Sequence, residues 1–140
     1  MKRSASAEWS GDLRTGKGAI STESGAISNQ RYGFNMRFGD EKGTNPEELL
    51  GAAHAGCFTM ALSSELGKAG ITAEKIATKA IVELTQGAAG FEIPAVQLDV
   101  TVTAPGADKA KVSEAAQTAK ANCPLSKVLR AEITMNLALN

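Results

Sequence analysis

Two cysteines and a single histidine are the side chains of this chain best suited to nucleophilic or redox chemistry. Cys57 sits in TNPEELLGAAHAGCFTMAL (44–62), inside Leu49 to Ser64, a run of sixteen residues without a formal charge. A thiol held in an apolar helix is inert by default, because a low dielectric disfavours the thiolate. A nearby positive group would reverse that. The other cysteine, Cys123 in NCPLS (122–126), is distant in sequence and meets Cys57 only through folding. A solitary pair of this kind in a reducing setting is catalytic, redox-sensing or simply buried, and the composition does not choose among these. Redox chemistry is the first hypothesis to test.

The 15 basic and 15 acidic residues balance, so no net field attracts nucleic acid or an anionic membrane. Small molecules or another protein surface are the expected partners. The N-terminal MKRSASAEWSGD carries basic residues with no apolar stretch behind them, unlike a secretory signal. Leu49 to Ser64 is shorter than the roughly 18 residues of a membrane span and is diluted by Gly, Ser, Thr and His. A cytoplasmic location is the default expectation. The 140 residues are expected to form one domain, 1–140, able to bury a core without disulfides. One His and two Cys make no complete zinc site, and no metal or cofactor is expected.

The elements that would position the cysteines follow from periodicity. Ala5, Ala7 and Trp9 alternate with polar neighbours, and GDLRTGKG (11–18) supplies a turn before a second extended run at Ala19 to Thr22. Tyr32, Phe34, Met36 and Phe38 alternate with Gly33, Asn35 and Arg37, which predicts a third strand of a small meander. Thr44 or Asn45 then caps a helix that begins at Pro46, carries Glu47 and Glu48 in its first turn, and runs to about Lys68 before Gly70.

Ile76, Thr78, Ala80, Val82 and Leu84 share one strand face, as do Val96, Leu98, Val100 and Val102 beyond QGAAGFEIP (86–94), predicting a long hairpin. Helical spacing covers Asp108 to Ala121, a short helix starts at Pro124 and ends near Arg130, and Ile133, Met135, Leu137 and Leu139 alternate in a last strand. The order predicts an α+β domain with helices packed on an antiparallel sheet. The Cys57 helix, apolar nearly all round, calls for more cover than one sheet gives. A homodimer would supply it.

TNPEELLGAAHAGCF (44–58), NCPLSKVLRAEITM (122–135) and STESGAISNQRYGFNMRFGDEKG (21–43) together resemble the OsmC/Ohr family, the osmotically inducible protein C and organic hydroperoxide resistance proteins, on the OsmC side. The resemblance spans essentially the whole chain. It implies antiparallel sheets packed on a central buried helix in an intertwined homodimer, and a thiol-dependent peroxidase that reduces organic hydroperoxides. On this likeness Cys57 matches the peroxidatic cysteine, Cys123 the resolving cysteine, Glu47 the acid after the Asn-Pro pair and Arg37 the active-site arginine, with Arg14 as the alternative arginine.

Those residue types suit the chemistry. Cys57 is too far into its helix for the N-terminal dipole, so a guanidinium must stabilise both thiolate and departing alkoxide. A carboxylate would hold that guanidinium by a bidentate bond. Glu47 and Cys57 are separated by about 15 Å of helix axis, so Arg37 and Glu47 are expected to serve Cys57 of the other subunit. Attack leaves a sulfenic acid, Cys123 closes a disulfide, and a dithiol reductant, in the family a lipoylated protein, reopens it. Phe38, Phe58 and Met60 would offer apolar walls for an alkyl hydroperoxide. The rival readings are a cysteine hydrolase using Cys57 and His54, and a non-catalytic dimer that binds apolar ligands.

Overall fold

A computed structural model describes all 140 residues, which form two compact units, Met1–Leu49 and Leu50–Asn140. In the first, strands β1 (Ala5–Ser10), β2 (Lys17–Thr22) and β3 (Gln30–Tyr32) make an antiparallel sheet in that order. Trp9, Gly18 and Tyr32 are successive partners across it, and the Trp9 and Tyr32 rings lie 5.3 Å apart. Gly18 is required there, since a Cβ would collide with both rings.

The expected strand over Tyr32 to Phe38 is corrected by the structure: β3 stops at Tyr32, and Phe34–Phe38 forms a short helix, α1. The alternation of Phe34, Met36 and Phe38 also contains an i,i+4 aromatic pair, and the helix satisfies it, with ring centroids 4.9 Å apart. Met36 is buried on the same element.

Helix α2 (Pro46–Lys68) has the predicted bounds. The Asn45 side chain accepts the Glu48 amide at 2.8 Å, and Pro46 needs no partner for a missing N–H. Gly70, at φ +75°, ends it, with the Ile71 amide returning to the Leu66 carbonyl at 2.9 Å.

In the second unit, β4 (Lys75–Val82) pairs antiparallel with β7 (Ala95–Thr103) as the expected hairpin. Between them β5 (Thr85–Gly87) and β6 (Gly90–Glu92) form a small ladder of their own. Helices α3 (Lys109–Asn122) and α4 (Pro124–Val128) follow, and β8 (Glu132–Leu139) joins β7 in parallel, giving the order β4-β7-β8. The parallel edge departs from a purely antiparallel sheet. Its cause is the α3–α4 crossover, which carries the chain back to the starting end of β7.

Val96, Leu98, Val100 and Val102 of the central strand are buried with Phe58, Leu62 and Leu66 of α2 and with Val112, Ala116 and Ala119 of α3. Gly51 lets α2 approach β4 closely: a Cβ there would lie 3.4 Å from the Ala80 carbonyl and the Val82 side chain. Thr59 fixes the same contact through a 2.8 Å hydrogen bond to Thr78. Only one face of α2 is covered, through Gly51, His54, Phe58, Leu62 and Leu66. Ala52, Ala53, Gly56 and Met60 are left exposed, Met60 at 77%.

Candidate active site

Cys57 is held mid-helix on α2, half-buried against the core. Cys123 lies at the junction of α3 and α4, where Pro124 forces one helix to end and another to begin. Its own amide completes α3 on the Ala119 carbonyl at 2.8 Å, and its carbonyl accepts the Lys127 amide at 3.0 Å. That junction points the fully buried Cys123 sulfur at Cys57. The two free thiols are 3.1 Å apart and share a hydrogen bond.

Their surroundings are unequal. Burial pushes the Cys57 thiol up; the Leu125 amide works against that, and the Cys123 sulfur adds to the rise. Burial also acts to raise Cys123, but the Ser126 amide, the Cys57 thiol, the Ser126 hydroxyl and the Leu125 amide together outweigh it, so Cys123 is lowered. Ionisation is thus disfavoured at Cys57, while Cys123 Sγ donates the hydrogen bond that joins the pair. Within Leu50–Asn140 no lysine or arginine side chain bonds either sulfur.

Within Met1–Leu49, Arg37 and Glu47 form an ion pair. α1 turns Arg37 toward Glu47 at the start of α2, where Arg37 Nη2 donates to Glu47 Oε1 at 2.6 Å and Nε donates to Oε1 and Oε2 at 3.0 and 3.2 Å. The Glu47 side chain is 13% exposed and that of Arg37 36%. This is the forked geometry a carboxylate uses to fix a guanidinium. Arg37 also lies 5.2 Å over the Phe38 ring, and Arg14 5.2 Å over Phe34. Arg14 has no such carboxylate bond.

Phe38 and Met60 are exposed, whereas Phe58 is sealed inside the core and anchors α2 there. His54 is fully buried, and its Nε2 lies 2.8 Å from Ser126 Oγ, so the ring is engaged with Ser126 instead of serving as a base on Cys57. Sequence reasoning gave Ser126 no role. Its position three residues after Cys123, in the first turn of a helix that starts with Pro124, is the signal that marks it.

The chain is similar to known proteins. The family model described as OsmC-like protein matches residues 39–138. Over 139 residues the chain is 53% identical to Peroxiredoxin OsmC of Escherichia coli (strain K12), covering 99% of this chain and 97% of that protein. This chain belongs to the OsmC-like family. The OsmC-like chain is also 30% identical over 100 residues to the Organic hydroperoxide resistance protein of Xanthomonas axonopodis pv. citri (strain 306), covering 69% of this chain and 67% of that one. Its fold is similar to the crystal structure of the Organic Hydroperoxide Resistance Protein OhrB of Bacillus subtilis, with a TM-score of 0.69, 24% identity and 98% of each chain covered. No helix of this OsmC-like chain is long and apolar enough to cross a membrane.

Proposed function

We propose that this protein is a cysteine-based peroxidase that reduces organic hydroperoxides to alcohols, with Cys57 as the attacking thiol and Cys123 as the resolving one. The observation that carries the reading is the 3.1 Å contact between two sulfurs far apart in sequence, one half-exposed and one buried. A hydroperoxide reaches Cys57 first. The Cys57 thiolate attacks the O–O bond, the alkoxide leaves and is protonated, and Cys57 becomes a sulfenic acid. Cys123 then forms the disulfide with loss of water, and a dithiol reductant returns both thiols by exchange.

The active form is a homodimer, one domain per chain, in which Arg37 and Glu47 serve Cys57 of the other subunit. Two features favour this: Glu47 and Cys57 share one helix with about 15 Å of axis between them, and the open apolar face of α2 is suited to a second copy. The guanidinium offsets the burial that disfavours the Cys57 thiolate, drawing charge onto Cys57 and stabilising the alkoxide. Exposed Phe38 and Met60 would line the approach for an alkyl group and favour organic hydroperoxides over hydrogen peroxide. The cytoplasm, where thiols stay reduced, suits such a cycle.

The test is peroxide consumption with a dithiol reductant for wild type, Cys57→Ser and Cys123→Ser. Cys57→Ser should be inactive, and Cys123→Ser should complete one turnover and stop at the sulfenic acid. Full turnover by Cys57→Ser would contradict the reading. Ester hydrolysis that survives loss of Cys123 would favour a hydrolase.

A further inference from the structure

Arg37 is carried by an element with little of its own to hold it in place. Helix α1 has five residues, glycines on both flanks, no side-chain cap at its start and Met36 as its buried residue. A helix this short is not stable by itself in water, so its position is set by what it touches. The segment around it closes on itself. The Thr44 amide and hydroxyl both donate to the Arg31 carbonyl, at 3.0 and 2.8 Å, and Arg31 Nη2 donates to Glu41 Oε1 at 2.9 Å. Met36 is tucked against Gly43, where a Cβ would collide with its sulfur. Residues 31–44 thus form a compact loop whose ends meet and whose inside is filled by its own side chain, a form that often carries functional groups.

A stack of four side chains, all within Met1–Leu49, joins α1 to the turn between β1 and β2. The Arg14 guanidinium lies 5.2 Å over the Phe34 ring, the Phe34 and Phe38 rings are 4.9 Å apart, and the Arg37 guanidinium lies 5.2 Å over Phe38. The Arg14 end of the stack is firmly mounted. Asp12 Oδ1 accepts the Arg14 and Thr15 amides at 2.9 and 3.0 Å, Oδ2 accepts the Thr15 hydroxyl, and the Asp12 carbonyl accepts the Gly16 amide at 2.9 Å. Arg14 forms no ion pair, so the aromatic face is where its charge is engaged.

We propose that Arg14 is a positioning residue for Arg37: through Phe34 and Phe38 it holds α1 against the β1–β2 turn and so fixes where the guanidinium stands. This deepens the peroxidase reading above and rests on it. Arg37 keeps the chemistry, and Arg14 acts only through α1. Without the contact, α1 leaves its docked place more often, and the fraction of molecules with Arg37 in position falls by no more than the factor the contact contributes. For a cation over an aromatic ring at an exposed site that factor is about two to five.

The test has two arms, both on the full-length protein. Hydrogen exchange read by NMR follows the Arg37 and Gly39 amides, which close α1 on the Gly33 and Asn35 carbonyls. Arg14→Met keeps the stem without the charge and should speed their exchange about two- to fivefold, with β4 and β7 unchanged. Phe34→Leu should speed it at least as much, and Arg14→Lys, which keeps a cation over the ring, should stay close to the parent. In the second arm, stopped-flow consumption of cumene hydroperoxide should slow about two- to fivefold in Arg14→Met and recover in Arg14→Lys. In an Arg37→Met background, adding Arg14→Met should cost nothing further, because the group it places is gone. Unmoved exchange in Arg14→Met would overturn the proposal, as would a rate loss that adds in full to that of Arg37→Met. So would a loss of about 10²–10³ in Arg14→Met, the mark of an arginine acting on the peroxide itself. If Phe34→Leu does not fold, the Arg14→Met and Arg14→Lys pair decides it. The exchange arm uses no peroxide, so failure of the peroxidase reading would appear separately, as wild-type protein that consumes no hydroperoxide.

Discussion

Replacing Arg37 with Met removes the guanidinium that Glu47 holds by three contacts of 2.6 to 3.2 Å, while keeping an unbranched apolar stem of similar reach. The size of the effect can be worked from the sulfur it is meant to serve. A thiol at the ordinary value of about 8.5 is roughly 3% ionised at pH 7, and burial puts Cys57 below that fraction. An adjacent positive charge lowers a pKa by about 1–3 units, which multiplies the thiolate roughly 10-fold or more before it saturates. Loss of one preorganised donor to a developing oxyanion costs about 10²–10³ in rate.

Arg37→Met should therefore lower the second-order rate with cumene hydroperoxide by about 10²–10³. It should also move the pH dependence of Cys57 alkylation, read in a Cys123→Ala background, to higher pH. Glu47→Gln keeps the guanidinium but weakens its holder. A hydrogen bond to a charged group is worth about 1.5–3 kcal/mol, so the loss there is bounded at about 10–150-fold. Stopped-flow peroxide consumption gives the rates, and alkylation followed by mass spectrometry gives the profiles. An Arg37→Met protein with a wild-type rate and an unshifted profile would refute the reasoning.

His54 makes acid stability measurable: its folded ionisation lies below the unfolded value of about 6.5, so the unfolded chain binds the extra proton. That contribution is complete above about pH 6.5 and is lost as pH falls through the folded value, so chemical denaturation should show an acid-side loss that His54→Gln lacks. Leu62 is fully buried in the core, and Leu62→Ala should cost about 2–5 kcal/mol of unfolding free energy, whereas Gly56→Ala, with open space where the methyl would sit, should be neutral or stabilising in the monomer. Met60→Glu should shift the protein from dimer to monomer in sedimentation while leaving its circular dichroism native, because it charges the open face of α2 and touches no core.

The parts of the fold that rest on local chemistry are the parts the residues announce. Asn45, Pro46, the two glutamates and Gly70 mark both ends of α2, and the alternations in β4, β7 and β8 name the faces the structure buries. Tyr32 to Phe38 misleads because a two-residue period and an i,i+4 pair coincide at Phe34 and Phe38. Nothing in a strand of alternating residues encodes whether it will run parallel, so the direction of β8 waits on the crossover before it. At the site, the cysteines, Arg37 and Glu47 are legible as residue types that suit the chemistry and in the family likeness. The bond from His54 to Ser126 joins two helices remote in sequence, and no pattern along the chain discloses it.

The central claim is that the guanidinium crosses from one subunit to the sulfur of the other. It is tested most directly in a doubly tagged heterodimer, purified through both tags, that combines an Arg37→Met subunit with a Cys57→Ser subunit. Each parent homodimer lacks a complete site. If the arginine acts across the dimer, the intact Cys57 meets the intact Arg37 and one of two symmetric sites returns, with about half the wild-type peroxidase rate per dimer. A heterodimer no more active than its parents would contradict the account.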